Sequence, residues 1–294
     1  MTGTGQTAGA LLKQAEELLQ AAGVPEPASD AWMIFEFVTG WRRADYLLRR
    51  GEILTADMAE NFREKIALRC RRIPAQQIVG EAWFMGYPFY VNEHVLTPRA
   101  DTECLAEAVL AWQNSLADPA GADLLDMCTG SGCIGISLGL LGEFRSVTLA
   151  DISPEALAVA AENVRRLAEE APKTAFRLQQ SDLFSAFAGQ RFHVITANPP
   201  YIPAEQISGL MAEVKDHEPH LALDGGTDGL EFYRKLAEEC PEHLITGGRI
   251  FWEIGWDQGP DVCGLLQAAG YTEIEIKQDL AGHDRVVTAV TDRR

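Results

Sequence analysis

The segment Asp126-Met-Cys-Thr-Gly-Ser-Gly-Cys-Ile-Gly135 decides the predicted fold. A strand-like apolar run ends inside it, and a helix-like run begins inside it. Its glycines at 130, 132 and 135 fit G-x-G-x-x-G. Between a strand and a helix, such glycines let the backbone approach a nucleotide beneath the helix N-terminus. The segment therefore predicts a nucleotide-binding unit.

Asp151 lies nineteen residues after Gly132, at the end of the next apolar run. A carboxylate at that point can accept hydrogen bonds from both hydroxyls of a ribose. A packing turn followed by a helix-capping Asp is the alternative interpretation. We therefore expect a cofactor that contains a ribose, either a dinucleotide or S-adenosyl-L-methionine.

Short apolar runs alternate with helix-like stretches from about residue 93 onward. Alternation of this kind predicts βαβ units and a mostly parallel sheet. The strand-like runs are Leu124–Met127, Val147–Ala150, Phe176–Leu178, Val194–Ala197 and Ile250–Ile254, and the helical stretches include 133–141, 154–169 and 229–239.

The last two strand-like runs, Tyr271–Ile276 and Arg285–Val290, are separated by only eight residues. A crossover helix does not fit there, so the last strand is expected to pair antiparallel. An antiparallel last strand is typical of methyltransferase sheets. Asp126 also favours S-adenosyl-L-methionine, because a carboxylate one turn before the glycines can attract the cationic amino-acid end of that cofactor.

Residues 1–75 predict a small all-helical domain, which we expect to dock the substrate. Its first helix is expected to stop at Gly23, Ser29 or Asp30 to cap a second, and Thr55 to cap another. Residues 76–92 contain an aromatic stretch broken by Gly86 and Pro88, and they predict a β-hairpin connector. Residues 93–294 form the predicted catalytic domain.

Asn198-Pro-Pro-Tyr201 follows the strand-like run that ends at Ala197, where an open α/β sheet binds its ligands. A planar amide or aromatic amine is a poor nucleophile, since its lone pair is delocalised. Two acceptors on its N–H bonds would orient that lone pair and stabilise the developing positive charge. The Asn198 side-chain oxygen and the Pro199 carbonyl suit this role. Pro200 helps to hold the backbone extended, and Tyr201 can stack on a flat acceptor.

Composition excludes several classes of protein. The chain has 294 residues, 47% of them hydrophobic and 23% charged, which is ordinary for a globular protein. Residues 1–80 carry ten basic and ten acidic side chains, so the remaining residues carry the whole net charge of −18. Such an acidic domain repels phosphate backbones, and no nucleic-acid substrate is expected. Residues 42–72, with nine basic against five acidic side chains, are either a solvated helical face or a docking surface for an acidic or RNA-containing partner.

The hydropathy of the sequence, its first ten residues and its cysteines favour a cytoplasmic protein. No stretch is long and apolar enough to span a bilayer, and residues 1–10 show no secretory signal pattern. The six cysteines are scattered without metal-ligand spacing, so free thiols and no metal site are expected. We expect a monomer, although no residue pattern reports the oligomeric state.

The chain resembles the protein glutamine methyltransferases of the PrmC/HemK family. Members of that family methylate the side-chain amide nitrogen in the Gly-Gly-Gln motif of peptide-chain release factors, with S-adenosyl-L-methionine as cofactor. The resemblance covers nearly the whole chain. It rests on the helical domain, the aromatic hairpin, Val95–Glu103, Asp126–Gly132, Asp151, Ser181–Phe184, Asn198–Tyr201, Ala222–Leu230 and Glu253–Gln258.

The resemblance implies a Rossmann-like methyltransferase domain and a set of site residues. Substrate contacts are implied at Asn198, Pro199, Pro200 and Tyr201. Cofactor contacts are implied at Cys128, Thr129, Gly130, Ser131, Gly132, Asp151, Asp182, Leu183 and Asn198, beside Asp126. The chain departs from the family in having Cys128 where Gly is usual, Thr97-Pro-Arg-Ala100 where Ile-Pro-Arg-Pro is common, and Leu183 where some members carry an aromatic residue.

Three further features have two interpretations each. Arg99 either forms a structural ion pair with Glu103 or lies near the substrate. Glu253 ends a strand on the ligand side, so a substrate contact is one possibility and a purely structural role the other. The Gly-rich loop Asp224–Gly229 is either a plain turn or a lid over the substrate.

Three other functions compete with glutamine methylation. An adenine or cytosine amino-methyltransferase uses a similar Asn-Pro-Pro-aromatic loop, but the acidic charge and the absence of a basic recognition domain oppose it. An NAD-dependent oxidoreductase leaves Asn198–Tyr201 and the last strand unexplained. A non-catalytic binding module would not explain the two hydrogen-bond acceptors, the Asn198 side-chain oxygen and the Pro199 carbonyl.

Overall fold

The computed structural model describes residues 6–116, 121–170 and 173–291. The chain divides into two compact units. One comprises residues 1–81 together with 211–217, and the other comprises residues 82–210 together with 218–294.

The first unit is helical. The hydroxyl of Thr55 caps the helix that follows it, as expected, and the hydroxyl of Thr7 caps the first helix. Its helices are α1 (Ala8–Ala21), α2 (Pro27–Thr39), α3 (Arg43–Arg49), α4 (Ala56–Cys70), α5 (Ala75–Val79) and, from the later segment, α10 (Ala212–Lys215).

The expected start of α2 is wrong. The helix begins at Pro27, and Ser29 and Asp30 lie inside it. Proline suits the first helical position because its fixed φ fits the helix and its missing N–H would have no partner there. The Asp30 carboxylate instead accepts a hydrogen bond from the Arg69 side chain at 2.7 Å.

The core of the helical unit combines aromatic rings with a buried ion-pair network. The Phe35 ring meets those of Trp32, Trp41, Tyr46 and Phe62 at centroid distances of 5.6–5.9 Å. Beside them, Arg69 is 3% exposed. A charge buried this deeply requires partners.

Glu213 supplies that partner from far along the chain. Its carboxylate accepts hydrogen bonds from Arg69 at 2.7 Å and from Arg72 at 2.6 and 2.5 Å. The Gln77 amide also donates to the His217 carbonyl at 3.0 Å. Residues 211–217 are therefore an integral part of the helical unit.

The predicted hairpin is present as β1 (Glu81–Phe84) and β2 (Tyr87–Tyr90). The second unit is built around a seven-stranded sheet. Its strands are β3 (Asp123–Met127), β4 (Ser146–Asp151), β5 (Ala175–Gln180), β6 (Phe192–Ala197), β7 (Leu244–Glu253), β8 (Thr272–Gln278) and β9 (Asp284–Val290).

The strand order is β5-β4-β3-β6-β7-β9-β8. The first five strands are mutually parallel, and β9 pairs antiparallel with both β7 and β8. The predicted fold class is therefore confirmed. The order reverses direction between β3 and β6, and such a switch point is where open α/β sheets bind ligands.

Helices complete the second unit. The expected helices appear as α7, α8 and α11, while α6, α12 and the one-turn α9 complete the set. Their bounds are α6 (Glu103–Gln113), α7 (Cys133–Leu141), α8 (Pro154–Leu167), α9 (Ala204–Ile207), α11 (Glu231–Glu239) and α12 (Gly259–Ala268).

None of the helices in the described ranges combines the length and apolar character that a bilayer crossing requires. All six cysteines carry free thiols.

Candidate active site

One cavity lies at the carboxyl ends of the parallel strands. Ten of the site residues expected from the sequence line it: Cys128, Thr129, Gly130, Ser131, Asp151, Asp182, Leu183, Asn198, Pro200 and Arg99. Five others do not: Asp126, Gly132, Pro199, Tyr201 and Glu253. The cavity is also lined by residues to which the sequence gave no ligand role: His94, Val95, Leu96, Pro219, Leu221 and Ala222.

The loop after β3 has an unusual backbone. Gly130 and Gly132 adopt φ values of +55° and +80°. Cys128, where the family usually has Gly, adopts +58° and takes the left-handed conformation despite its side chain. Burial beside three carboxylates raises the pKa of the Cys128 thiol, so this side chain is a neutral part of the cavity wall.

Asp151 ends β4 and holds this loop in place. Its two carboxylate oxygens accept hydrogen bonds from the backbone N–H groups of Gly130 at 2.9 Å and Ser153 at 3.0 Å. Burial raises its pKa, while these hydrogen bonds oppose that rise. Each oxygen keeps capacity for a further donor, as the recognition of a ribose diol requires.

Asp126 takes a different position from the one expected. It is fully buried, and its carboxylate accepts hydrogen bonds from Thr129 at 2.5 Å, Thr196 at 2.7 Å and the Gly135 N–H at 3.2 Å. Burial raises its pKa to about 6. Asp126 therefore supports the glycine-rich loop from beneath and makes no direct contact with the cavity, because its side chain points into the helix–sheet interface.

The Ser181–Leu183 turn after β5 forms another wall. Leu183 has a φ of +43° and is 7% exposed. The Ser181 hydroxyl donates to the Leu183 carbonyl at 2.5 Å and accepts from the Ala186 N–H at 3.1 Å. The turn therefore presents the Leu183 side chain and Asp182 to the cavity in a fixed arrangement.

The Asn198–Tyr201 loop directly follows β6. Asn198 and Pro200 line the cavity, whereas Pro199 is buried and Tyr201 packs against the main hydrophobic core. Burial raises the pKa of Tyr201 to about 12, so its phenol stays protonated. The Tyr201 ring is thus partly covered by the protein core, while Asn198 and Pro200 face the cavity.

The Gly-rich loop Asp224–Gly229 packs directly against this segment. The Ile202 N–H donates to the Leu223 carbonyl at 3.0 Å, and the Gly225 N–H donates to the Ile202 carbonyl at 2.9 Å. A Cβ on Gly225 would lie 2.7 Å from the Tyr201 Cα. The Gly-rich loop therefore supports the segment that continues from the Asn198–Tyr201 loop.

Gln258 fixes both loops, a role that the sequence analysis missed. Its amide nitrogen donates to the carbonyls of Tyr201 at 3.0 Å and Gly229 at 3.2 Å. Its amide oxygen accepts from the Gly255 N–H at 2.9 Å. The only sequence signal was its place at the end of the Glu253–Gln258 motif.

Arg99 and Glu103 do not pair with each other. The Arg99 guanidinium contacts both carboxylate oxygens of Glu218 at 2.9 and 2.7 Å. Glu103 instead accepts the Met85 N–H at 2.6 Å. Arg99 also lines the cavity, so its ion pair holds it beside the ligand space.

Glu253 ends β7 and is 2% exposed. Burial raises its pKa to about 7, while hydrogen bonds from the side chains of Thr102 and Asn198 oppose that rise. Within the described residues, its Oε2 atom has no hydrogen-bond partner. The structure therefore brings Glu253 to Asn198, although it does not line the cavity.

No group of three or more His, Cys, Asp or Glu side chains is arranged to hold a metal ion in the part of the chain that the structure describes. The cavity instead offers carboxylates, an amide, backbone N–H groups and apolar walls.

Two protein families match successive parts of the chain. Residues 10–80 match the PrmC N-terminal domain, and residues 106–227 match the methyltransferase small domain. The chain is 41% identical over 278 residues to the release factor glutamine methyltransferase of Cereibacter sphaeroides. The aligned region covers 95% of this chain and 96% of that protein. It is 39% identical over 281 residues to the enzyme of the same name from Bacillus anthracis, with coverages of 95% and 97%.

A solved structure has the same fold. A methyltransferase from Pyrococcus furiosus matches 79% of this chain and 98% of its own, with a TM-score of 0.50 and 16% identity.

Proposed function

The chain belongs to the release factor glutamine methyltransferase family, and on that premise we propose that it methylates the side-chain amide nitrogen of the Gln in the Gly-Gly-Gln motif of peptide-chain release factors. The observation that supports this most strongly is the placement of Asn198 and Pro200 in the wall of the same cavity as Asp151 and the glycine-rich loop.

The cavity fits S-adenosyl-L-methionine, the cofactor of the family. Asp151 presents acceptors for a ribose, and Ile152 and Leu183 present apolar surface for a flat base. A Cβ on Gly130 would meet nothing within 4 Å, so the loop backbone is open toward a ligand. The carboxylates of Asp151 and Asp182 suit a cation. When bound, this cofactor supplies an electrophilic methyl group.

The contribution of the chain is to hold the acceptor amide. The side-chain oxygen of Asn198 and the backbone carbonyl of Pro199 each take one N–H of that amide. Both acceptors stabilise the positive charge that develops on nitrogen, and they direct its lone pair toward the cofactor. No base from the protein is needed, because the product can lose its proton to water.

A methyl-transfer assay tests this function. The protein is mixed with radiolabelled cofactor and with either an intact release factor or one in which the Gln of Gly-Gly-Gln is replaced by Ala; bare DNA and RNA serve as further substrates. We expect label on the intact factor alone. Label on nucleic acid, or on the altered factor, would contradict the proposal.

Asn198→Ala completes that assay. We expect it to keep its circular dichroism spectrum and to lose activity by about 10²–10³-fold, the usual cost of one polar group at a transition state. Methylation at nearly the original rate would show that Asn198 does not hold the acceptor.

We further propose that residues 1–75 dock the release factor. Helix α3 has no buried residue, and its Leu47 and Leu48 are 67% and 86% exposed. Ile53, four residues after α3 along the chain, is 62% exposed. Single exposed apolar side chains are common, but several of them within one short segment favour an interaction site.

Cations surround this apolar group in fixed positions. The Arg43 guanidinium lies over the Trp32 ring at 3.8 Å, and that of Arg49 lies over the Trp41 ring at 4.0 Å. A protein partner with apolar and acidic side chains fits such a surface. We also propose that the protein acts as a monomer in the cytoplasm.

A further inference from the structure

Asn198 and Glu253 are neighbours across two parallel strands. Strand β6 pairs with β7 so that Ala197 lies beside Trp252. Asn198 is the first residue after β6, and Glu253 is the last residue of β7. Strands in a sheet are about 4.8 Å apart, so two side chains at equivalent positions point to the same face and meet.

The backbone of Glu253 is held firmly. Glu253 pairs with Val286 of β9, and the Tyr233 hydroxyl donates to the Glu253 carbonyl at 2.7 Å. The side chain is buried, and the polar side chains of Asn198 and Thr102 lower the pKa of its carboxyl, as neighbouring hydrogen-bond donors do. A carboxylate can only accept, so the part of Asn198 that meets it is the side-chain nitrogen.

We infer that Glu253 is a positioning residue for methyl transfer: its carboxylate takes a hydrogen bond from the Asn198 side-chain nitrogen and thereby turns the Asn198 oxygen toward the methyl acceptor. An amide side chain has two orientations that differ little in shape, and only one of them offers an acceptor to the substrate. The inference rests on the proposed function of Asn198. In it, Glu253 determines which of the two orientations the Asn198 amide adopts.

The protonation state of Glu253 controls this choice. Once protonated, the carboxyl has an O–H that can donate to the Asn198 oxygen and so compete with the acceptor. The pKa of Glu253 is raised to about 7, chiefly by burial, so both forms exist near neutral pH. Titratable groups face this carboxyl from every neighbouring element: Asp101, Cys104, Cys133, Tyr201, Tyr233 and Arg285.

The test compares the dependence of kcat on pH in the native protein and in Glu253→Gln, with an intact release factor as substrate. For the native protein, we expect kcat to rise about tenfold between pH 6 and pH 8, as a group with a pKa near 7 ionises. For Glu253→Gln, we expect kcat to fall by up to about a hundredfold, the cost of a misplaced group, and to lose this pH dependence. The KM for the release factor should change little.

Thr102→Val provides a second measurement that does not alter Glu253. It removes a hydrogen bond that lowers the pKa of Glu253, so the midpoint of the pH profile should move to higher pH. Glu275→Gln, on an exposed strand position, is the matched control and should leave the profile unchanged.

Two results would overturn the inference while leaving the proposed function intact. The first is active native enzyme whose kcat does not depend on pH in this range. The second is a Glu253→Gln variant with native kcat and a raised KM, which would indicate direct substrate binding. If the native enzyme transfers no methyl group to the release factor, it is the proposed function that fails.

Discussion

At the scale of residues, burial decides what two nearby carboxylates do. Asp126 and Asp151 both contact the glycine-rich loop. Asp151 lines the cavity and keeps acceptor capacity for a ligand. The oxygens of Asp126 are occupied by Thr129, Thr196 and Gly135, and its carboxyl is fully buried. Asp151 therefore suits ligand recognition, and Asp126 stabilises the conformation of the glycine-rich loop.

Asp151→Ala should weaken cofactor binding by about 1.5–3 kcal/mol, the scale of hydrogen bonds to a charged group. Calorimetric titration with S-adenosyl-L-methionine measures this loss. Asp261→Ala, at an exposed position on α12, is the matched control and should bind normally. Equal affinity of the Asp151 variant and the control would remove Asp151 from the cofactor site.

Asp126→Asn should change how stability depends on pH. The folded-state pKa of Asp126, about 6, is above the ordinary value of 3.8, so the carboxyl favours folding most when it is protonated. That contribution is complete below pH 4 and is lost as the pH rises through 6, amounting to about 3 kcal/mol at 1.36 kcal/mol per pKa unit.

Urea unfolding at several pH values measures this effect. Relative to Asp126→Asn, the native protein should lose unfolding free energy between pH 4 and pH 7. Because other titrating groups are common to both proteins, they cancel in the comparison. Parallel stability curves for the two proteins would contradict the assignment.

The spacing of residues along the sequence predicted where the site lies, but it did not predict which side chains line the cavity. The interval from Gly132 to Asp151 placed a carboxylate at the end of β4, and the structure has it lining the cavity. Asp126 has an equally suggestive position, but its carboxylate is buried against Thr129, Thr196 and Gly135 and does not line the cavity. A position near a strand end does not state how deeply a side chain is buried, since that depends on how the strand and the following helix pack.

At the scale of elements, the strands were predictable because buried parallel strands are continuous apolar runs. The insertion of β9 between β7 and β8 was not, because only tertiary contacts determine which edge a hairpin joins. The one-turn helices α9 and α10 are too short to show periodicity. Helix α10 is instead held by the ion pairs of Glu213, whose partners are more than 140 residues away.

The Asn198–Tyr201 loop depends on Gln258. Gln258→Glu keeps the acceptor for Gly255 but places carboxylate oxygens against the carbonyls of Tyr201 and Gly229. We expect a loss of about 1–3 kcal/mol in unfolding free energy and a lower kcat, because two buried hydrogen bonds are lost.

Gln267→Glu is the control for this variant, since Gln267 is exposed on α12, the helix that Gln258 precedes. Thermal unfolding and methyl transfer are measured for both. If Gln258→Glu keeps the melting temperature and kcat of the control, Gln258 does not hold the loop.

At the scale of the whole molecule, charge and exposed apolar surface are unevenly distributed. The net charge of −18 belongs to residues after 80, while residues 42–72 are basic. The composition therefore indicated a distinct surface on the helical unit. It did not indicate that Leu47 and Leu48 point outward, because α3 is too short for a hydrophobic face to be assigned.

Leu48→Asp tests the proposed docking surface on the full-length protein. We expect the KM for a whole release factor to rise about tenfold, equivalent to 1.4 kcal/mol, with an unchanged affinity for the cofactor. Leu280→Asp, at a fully exposed position in the β8–β9 turn, is the control and should leave KM unchanged. The same KM for both variants would locate docking elsewhere.

Glu213 is synthesised long after the helices that it contacts, and this delay affects how the helical unit becomes stable during translation. Arg69 leaves the ribosome 144 residues ahead of Glu213, its second carboxylate partner. At about 5–20 residues per second, translation takes roughly 7–30 s to supply that carboxylate. During this interval Arg69 can pair with Asp30, but the ion pairs of Arg69 and Arg72 with Glu213 cannot yet form. The unit therefore acquires its final stability only after most of the sheet has been synthesised, although its own helices are the first to emerge.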